Sequence, residues 1–232
     1  LYHVINRLQK SKYASKIIIA TTLKQEDISI KDFCIEHNID YFRDLTMIIS
    51  QLDVKIVDEM IDILISVREK KGRLFFVGVG GGAGNANHAV CDFRKLAGIE
   101  SYSVSDNVSE LTARVNDDGW DSCYSNWLRV SRLNGNDCIF VFSVGGGNKE
   151  KNVSVNLVQS LVLAQEVGAK IIGVVGRDGG YTAQSADACI VVPVVNDATI
   201  TPHTEAVQVV IWHMMISNPR LLTGEMKWEN IK

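Results

Sequence analysis

LFFVGVGGGAGNANH, residues 74–88, decides the fold. An apolar run of strand length passes through Gly78, Gly80, Gly81 and Gly82 into a segment of helical character. The same alternation continues downstream. SYSV (101–104), CIFVFSV (138–144), KIIGVVG (170–176) and CIVVPVV (189–195) read as short apolar strands. Helices fit residues 84–97, 107–117, 121–133, 150–167 and 203–217. Strands that are apolar on both faces, separated by helical lengths, predict a parallel sheet covered by helices on both sides. The expected class is α/β: a doubly wound, five-stranded parallel sheet of flavodoxin-like order.

Upstream, residues 51–71 predict one long helix, with Leu52, Ile56, Met60, Ile63 and Val67 at spacings of three and four and Gly72 as its stop. Residues 1–45 have a different rhythm. LYHVINRLQKSK (1–12) reads as a helix, KIIIATT (16–22) as a buried strand, 26–37 as an amphipathic helix and IDYFRD (39–44) as a second short strand. This partial strand–helix–strand segment is too small for a core of its own. With Leu1 in place of an initiating Met, it reads as part of something longer.

The 232 residues are 46% apolar and 22% charged, an ordinary globular composition. A net charge of −3 argues against a protein that coats nucleic acid. No apolar run reaches the roughly 18–20 residues of a membrane span, and no secretory pattern opens the chain, so the expectation is a cytoplasmic protein without membrane or nucleic-acid partners. Cys34, Cys91, Cys123, Cys138 and Cys189 are scattered and never spaced as CxxC, which suits reduced thiols.

Ligands of such sheets sit beyond the carboxyl ends of the strands. There the first glycine run, followed by a helix N-terminus, suits a phosphate. A tight strand–helix turn accounts for it equally well. No GK[ST] follows, and Ala83 breaks the dinucleotide pattern. A second run, FSVGGGNKEKN (142–152), adds Ser143, Asn148 and Lys149 as phosphoryl donors. A third turn, GRDGGYT (176–182), reads as a simple turn or a ligand loop.

His88 and Asp92 lie four apart on the helix after the first loop, hence on one face. TPHTEAVQVVIWHMM (201–215) carries His203, Glu205 and His213. These side chains suit zinc or another divalent first-row ion. A lone His on an apolar helix is more often a core residue, and His213 by itself reads that way. Glu205 joins a shared ion most easily from an irregular first turn after Pro202.

GVGGGAGNANH, SELTARVND (109–117), FSVGGGN, GAKIIGVVGRDGG (168–180), ADACIVVP (186–193) and TPHTEAVQVVIWH together resemble a sugar isomerase (SIS) domain over residues 50–220. Within that superfamily they are most similar to phosphoheptose isomerases. The resemblance implies interconversion of a seven-carbon ketose phosphate, sedoheptulose 7-phosphate, with its aldose phosphate. It implies a homotetramer with active sites between subunits, and a zinc ion held by His88, Asp92, Glu205 and His213. It casts Asp92 as the base for the C2 proton and His213 as its acid/base partner. Gly80, Gly81, Gly82, Asn85, Ser143, Gly145, Asn148 and Lys149 would hold the phosphate and substrate. Asn116 and Asp117 would meet sugar hydroxyls, helix capping being the alternative for Asp117.

The chain departs from that pattern. Asp stands for Glu at 92, Glu for Gln at 205 and Gly for Ser at 82, and the second loop lacks the family's serine-rich SxSGNSxN. A non-catalytic SIS module that binds a sugar phosphate or acts as an adaptor is therefore the second reading. Residues 1–45 resemble part of a sugar cytidylyltransferase, without the nucleotide loop that such enzymes carry at their start. A truncated two-domain transferase is the third reading, and both halves would suit surface-polysaccharide precursor synthesis.

Overall fold

The computed structural model describes residues 43–227 and, before them, Ile5, Lys10, Ile18, Ile19, Ser29, Asp32, Phe33, Glu36, Asp40 and Tyr41. The chain divides into two compact units, Leu1–Gln51 and Leu52–Lys232. In the first, β1 (Ile18–Ile19) pairs in parallel with β2 (Asp40–Tyr41). Ser29, Asp32, Phe33 and Glu36 between them are helical. The expected strand–helix–strand order is thus seen at those residues. The rest of the 1–45 reading, including most of the 1–12 helix, lies outside the described residues. A helix not foreseen, α1 (Arg43–Gln51), occupies part of the predicted second strand. Its apolar Leu45, Ile48 and Ile49 follow helical spacing over too short a run to stand out.

The second unit opens with α2 (Val54–Glu69), which starts later than predicted because Asp53 caps it, its Oδ1 accepting from the Lys55 N–H at 2.9 Å. Its buried stripe is Val57, Met60, Ile61, Leu64 and Val67. Met60 and Val67 match expectation, whereas Ile56 and Ile63 are only half-buried. Gly72 follows the helix because a Cβ there would run into the Asn136 carbonyl.

Five parallel strands form the sheet: β3 (Leu74–Gly78), β4 (Ser101–Ser103), β5 (Cys138–Ser143), β6 (Lys170–Val175) and β7 (Ala188–Val191), in the order β4-β3-β5-β6-β7. This is the predicted flavodoxin-like order. The central strands are buried on both faces, which is why their sequences are continuously apolar. On one face Phe76, Phe140 and Phe142 meet Phe93 of α3 (Gly81–Lys95) and Trp212 of α8 (Ile200–Ile216). On the other, Phe75, Val77, Ile139 and Val141 join Tyr124 and Leu128 of α5 (Cys123–Val130) and Leu157 and Leu161 of α6 (Val155–Val167). α4 (Val108–Asp118) and α7 (Gly180–Ser185) complete the α-helices of the second unit among the described residues. None of these helices is long and apolar enough to cross a membrane.

The boundary errors have physical causes. Helix α3 begins at Gly81, so Gly81 and Gly82, which read as loop, lie inside its first turn. Residues 148–153 form a tight hairpin, closed by an Asn148–Val153 bridge, which delays α6 to Val155. Helix α7 stands where the third glycine run reads as a simple turn or a ligand loop. Helix α8 starts at Ile200, so Glu205 sits in regular helix rather than in an irregular first turn. Of the apolar residues in its second half, Met215 is buried and Val209 half-buried. Val210 and Met214 are the exposed ones.

Candidate active site and metal centre

From β3 the chain turns to β4 on one side and then crosses back to β5 on the other, so the β3/β5 boundary is the switch point where a crevice opens. Both GGG runs leave the sheet there, Gly78 being paired in register with Phe142. In the first run, a side chain at Gly78 would strike the Gly82 carbonyl, one at Gly82 the Phe142 carbonyl, and one at Gly81 the Glu205 carboxylate. Gly80 has φ +60° and open space around it. Tyr124 steadies this end of β3, its hydroxyl donating to the Gly78 carbonyl at 2.9 Å. Burial, and after it the neighbouring Cys123, push the Tyr124 hydroxyl up to about 12.

The second run is held differently. The Gly146 N–H donates to Ser143 Oγ at 3.0 Å. The Gly146 carbonyl accepts from Thr182 N at 2.9 Å and Thr182 Oγ1 at 2.8 Å, and the Gly147 carbonyl accepts from Tyr181 N at 2.8 Å. The third glycine turn is therefore the clamp of the second, and Gly146 and Gly180 lack side chains because the two backbones touch. Asn148 Oδ1 accepts from Lys151 N at 2.8 Å, and Lys149 is exposed beside it.

His88 and Asp92 on α3 and His213 on α8 form one group, with a nitrogen or oxygen of each within 4.8 Å of the others. Asp92 Oδ2 lies 3.8 Å from His88 Nε2 and 3.4 Å from His213 Nε2, and it accepts from Trp212 Nε1 at 3.2 Å. Bonds of about 2.0–2.1 Å at tetrahedral angles separate donor atoms by about 3.3 Å. Two imidazoles and a carboxylate at these separations fit zinc with a coordination position left for substrate. His88 and His213 are 60% and 44% exposed, against 17% for Asp92, so the group opens to solvent on the imidazole side.

Glu205 does not join that group. Its carboxylate lies against Gly81, at the electropositive start of α3. Asn85 Nδ2 donates to the Glu205 carbonyl at 3.1 Å and to Gln208 Oε1 at 2.8 Å, while Gln208 Nε2 reaches the Val174 carbonyl at 3.1 Å. Asn85 is thus a brace between α3 and α8. Asn116 Nδ2 donates to Asp117 Oδ1 at 2.8 Å on exposed α4. Asp117 caps no helix, since Asn107 caps the start of α4 and Gly119 ends it. Gln208 and Trp212 were missed, although Thr204, Gln208 and Trp212 form an i, i+4 row of hydrogen-bonding groups on a largely apolar helix.

No family model matches the chain. It is 31% identical over 154 residues to the lincomycin biosynthesis protein LmbN of Streptomyces lincolnensis, a match covering 62% of this chain and only 54% of that relative. It is 29% identical over 149 residues to a phosphoheptose isomerase of Rhodospirillum rubrum, covering 62% of this chain and 73% of that one. In fold it superposes on a phosphoheptose isomerase from Neisseria gonorrhoeae with a TM-score of 0.67 and 21% identity, over 81% of this chain and 97% of that one. One from Francisella tularensis gives 0.62 and 19%, over 84% and 97%. The fold is that of a sugar isomerase (SIS) domain. In sequence the chain is similar to phosphoheptose isomerases, as its motifs predict.

Proposed function

We propose that this chain is an aldose–ketose isomerase of a sugar phosphate, acting on sedoheptulose 7-phosphate. The observation that carries the reading is the meeting of His88, Asp92 and His213 from two helices, one of which, α3, starts at the first glycine run. His88, Asp92 and His213 would hold a zinc ion. When bound, it would polarise the carbonyl and hydroxyl oxygens at C1 and C2. Asp92 takes the proton from the carbon next to the carbonyl and returns it to the neighbouring carbon through an enediol. His213 carries the hydroxyl proton between the two oxygens. The second glycine loop, with Ser143, Gly145, Asn148 and Lys149, anchors the phosphate. Gly80–Gly82 and Asn85 line the side nearer Glu205, whose carboxylate accepts from sugar hydroxyls. Asn116 and Asp117 belong to the same proposal as hydroxyl contacts.

A homotetramer that closes over the exposed imidazoles completes the reading. The exposed Val210 and Met214, flanking His213 on α8, support it. A cytoplasmic setting, where the sugar phosphate would be met, belongs to the same proposal. Residues 1–45 are proposed as a cytidylyltransferase-like segment, a reading with which the parallel β1–β2 pair agrees.

The test is elemental analysis followed by turnover. The expected result is about one zinc per chain, isomerisation of sedoheptulose 7-phosphate, and loss of both in an Asp92→Ala, His213→Ala variant. The binding-module reading draws on the absence of Glu205 from the metal group. It requires phosphate-ester binding with neither metal nor solvent deuterium exchange at C2, and that result would displace the isomerase.

A further inference from the structure

One side chain touches all three members of the metal group. Trp212, next to His213, is fully buried. Its indole N–H donates to Asp92 Oδ2. Its ring stands nearly edge-on to His88, with centroids 5.4 Å apart and planes at 74°. It lies 4.9 Å from His213 at 39°. The same ring packs on Phe142, 5.4 Å away near the end of β5.

We propose that Trp212 is the positioning residue of this centre, holding the Asp92 carboxylate and both imidazole planes ready for a divalent ion. The inference rests on the metal-assisted reading above. A buried indole N–H needs an acceptor, and Asp92 Oδ2 supplies it. The donor is neutral, so it orients the carboxylate without cancelling its charge toward a cation. The Trp212 hydrogen bond and the approaches of both imidazoles fall on Oδ2. Oδ1 is thereby the oxygen left to the substrate proton, which lets one short carboxylate serve the ion and the base step together. Groups that orient metal ligands in this way typically govern about 10–100-fold in affinity.

The test is titration of the full chain and of Trp212→Phe with Zn2+ and Co2+, by chelator competition and visible absorption. Trp212→Phe should weaken both ions by about 10–100-fold and shift the d–d bands of the Co2+ complex. In an Asp92→Ala background the same change should alter affinity by less than about twofold, because the partner is gone. Unchanged affinity and spectrum in Trp212→Phe would overturn the inference while leaving the metal reading intact. A parent chain that binds neither ion would overturn the metal reading itself. Should Trp212→Phe fail to fold, indole-15N spectra of the parent decide: the Trp212 Nε1–H signal must move on Zn2+ addition, and a signal that stays put refutes the role.

Discussion

The two GGG runs at the switch point are spelled alike and are built for different reasons. Gly80–Gly82 let a helix begin directly against a neighbouring strand and a carboxylate. Gly145–Gly147 instead form a loop whose carbonyls are clamped by Thr182 and Tyr181 of α7. A glycine run is a statement about what approaches the backbone, and only the neighbours say whether that is a ligand or the protein itself.

The comparison breaks most sharply at Gly146 and Gly82. Gly146→Ala forces a side chain onto the Gly179 carbonyl at φ +67°, and Gly82→Ala does the same against the Phe142 carbonyl. Each should cost about 3 kcal/mol or more in urea unfolding, since backbone on both sides leaves no room to yield. Gly81→Ala meets only the end of the flexible Glu205 side chain and should cost less than about 1 kcal/mol. Equal losses at 81 and 82 would erase the distinction.

Alkaline pH probes the anchor of the first loop. The folded Tyr124 hydroxyl sits at about 12, above its ordinary value of 10.0. Above pH 10 the unfolded chain releases this proton while the folded chain keeps it. The stability involved is therefore whole below pH 10 and is lost as pH rises through 12, by about 2–3 kcal/mol. Burial likewise pushes Cys189 up to about 12 and Cys138 upward, so the decline should begin above pH 9. Tyr124→Phe should be about 1 kcal/mol less stable at pH 8, having lost the bond to Gly78, yet fall less between pH 10 and 12. Thermal melts across pH 8–12 check both slopes.

The open glycines separate conformation from crowding. Gly80→Ala, at φ +60° and ψ −123° with nothing near it, should cost about 1–3 kcal/mol from backbone strain alone. Gly84→Ala, in regular helix with open space, should stabilise by about 0.5–1 kcal/mol. Opposite signs at 80 and 84 in chemical denaturation would confirm that conformation, rather than crowding, sets both.

Much of this molecule is legible in its sequence. The five strands could be read because parallel strands buried on both faces must be apolar throughout. His88 and Asp92 could be paired because one helical turn separates them. The start of helix α3 is hidden in the sequence because glycine is a poor helix former, and the tight contacts that exclude a Cβ there are invisible to propensity. Helix α1 was missed because nine residues hold little more than two turns of pattern.

By itself, then, the sequence determined the α/β class, the strand order's likeness to flavodoxin, the glycine runs at the strand ends and the His88–Asp92 pair. All of these are written in local period and spacing. The family resemblance already joins His213 to that pair, and the fold brings the three together. Tertiary structure alone decided that Glu205 lies against Gly81, that α7 clamps the second loop, and that Trp212 bonds to Asp92 across 120 positions. Those outcomes turn on a few ångströms in how α8 packs across α3. Many residues far apart in the chain set that packing together, and no stretch of sequence carries it alone.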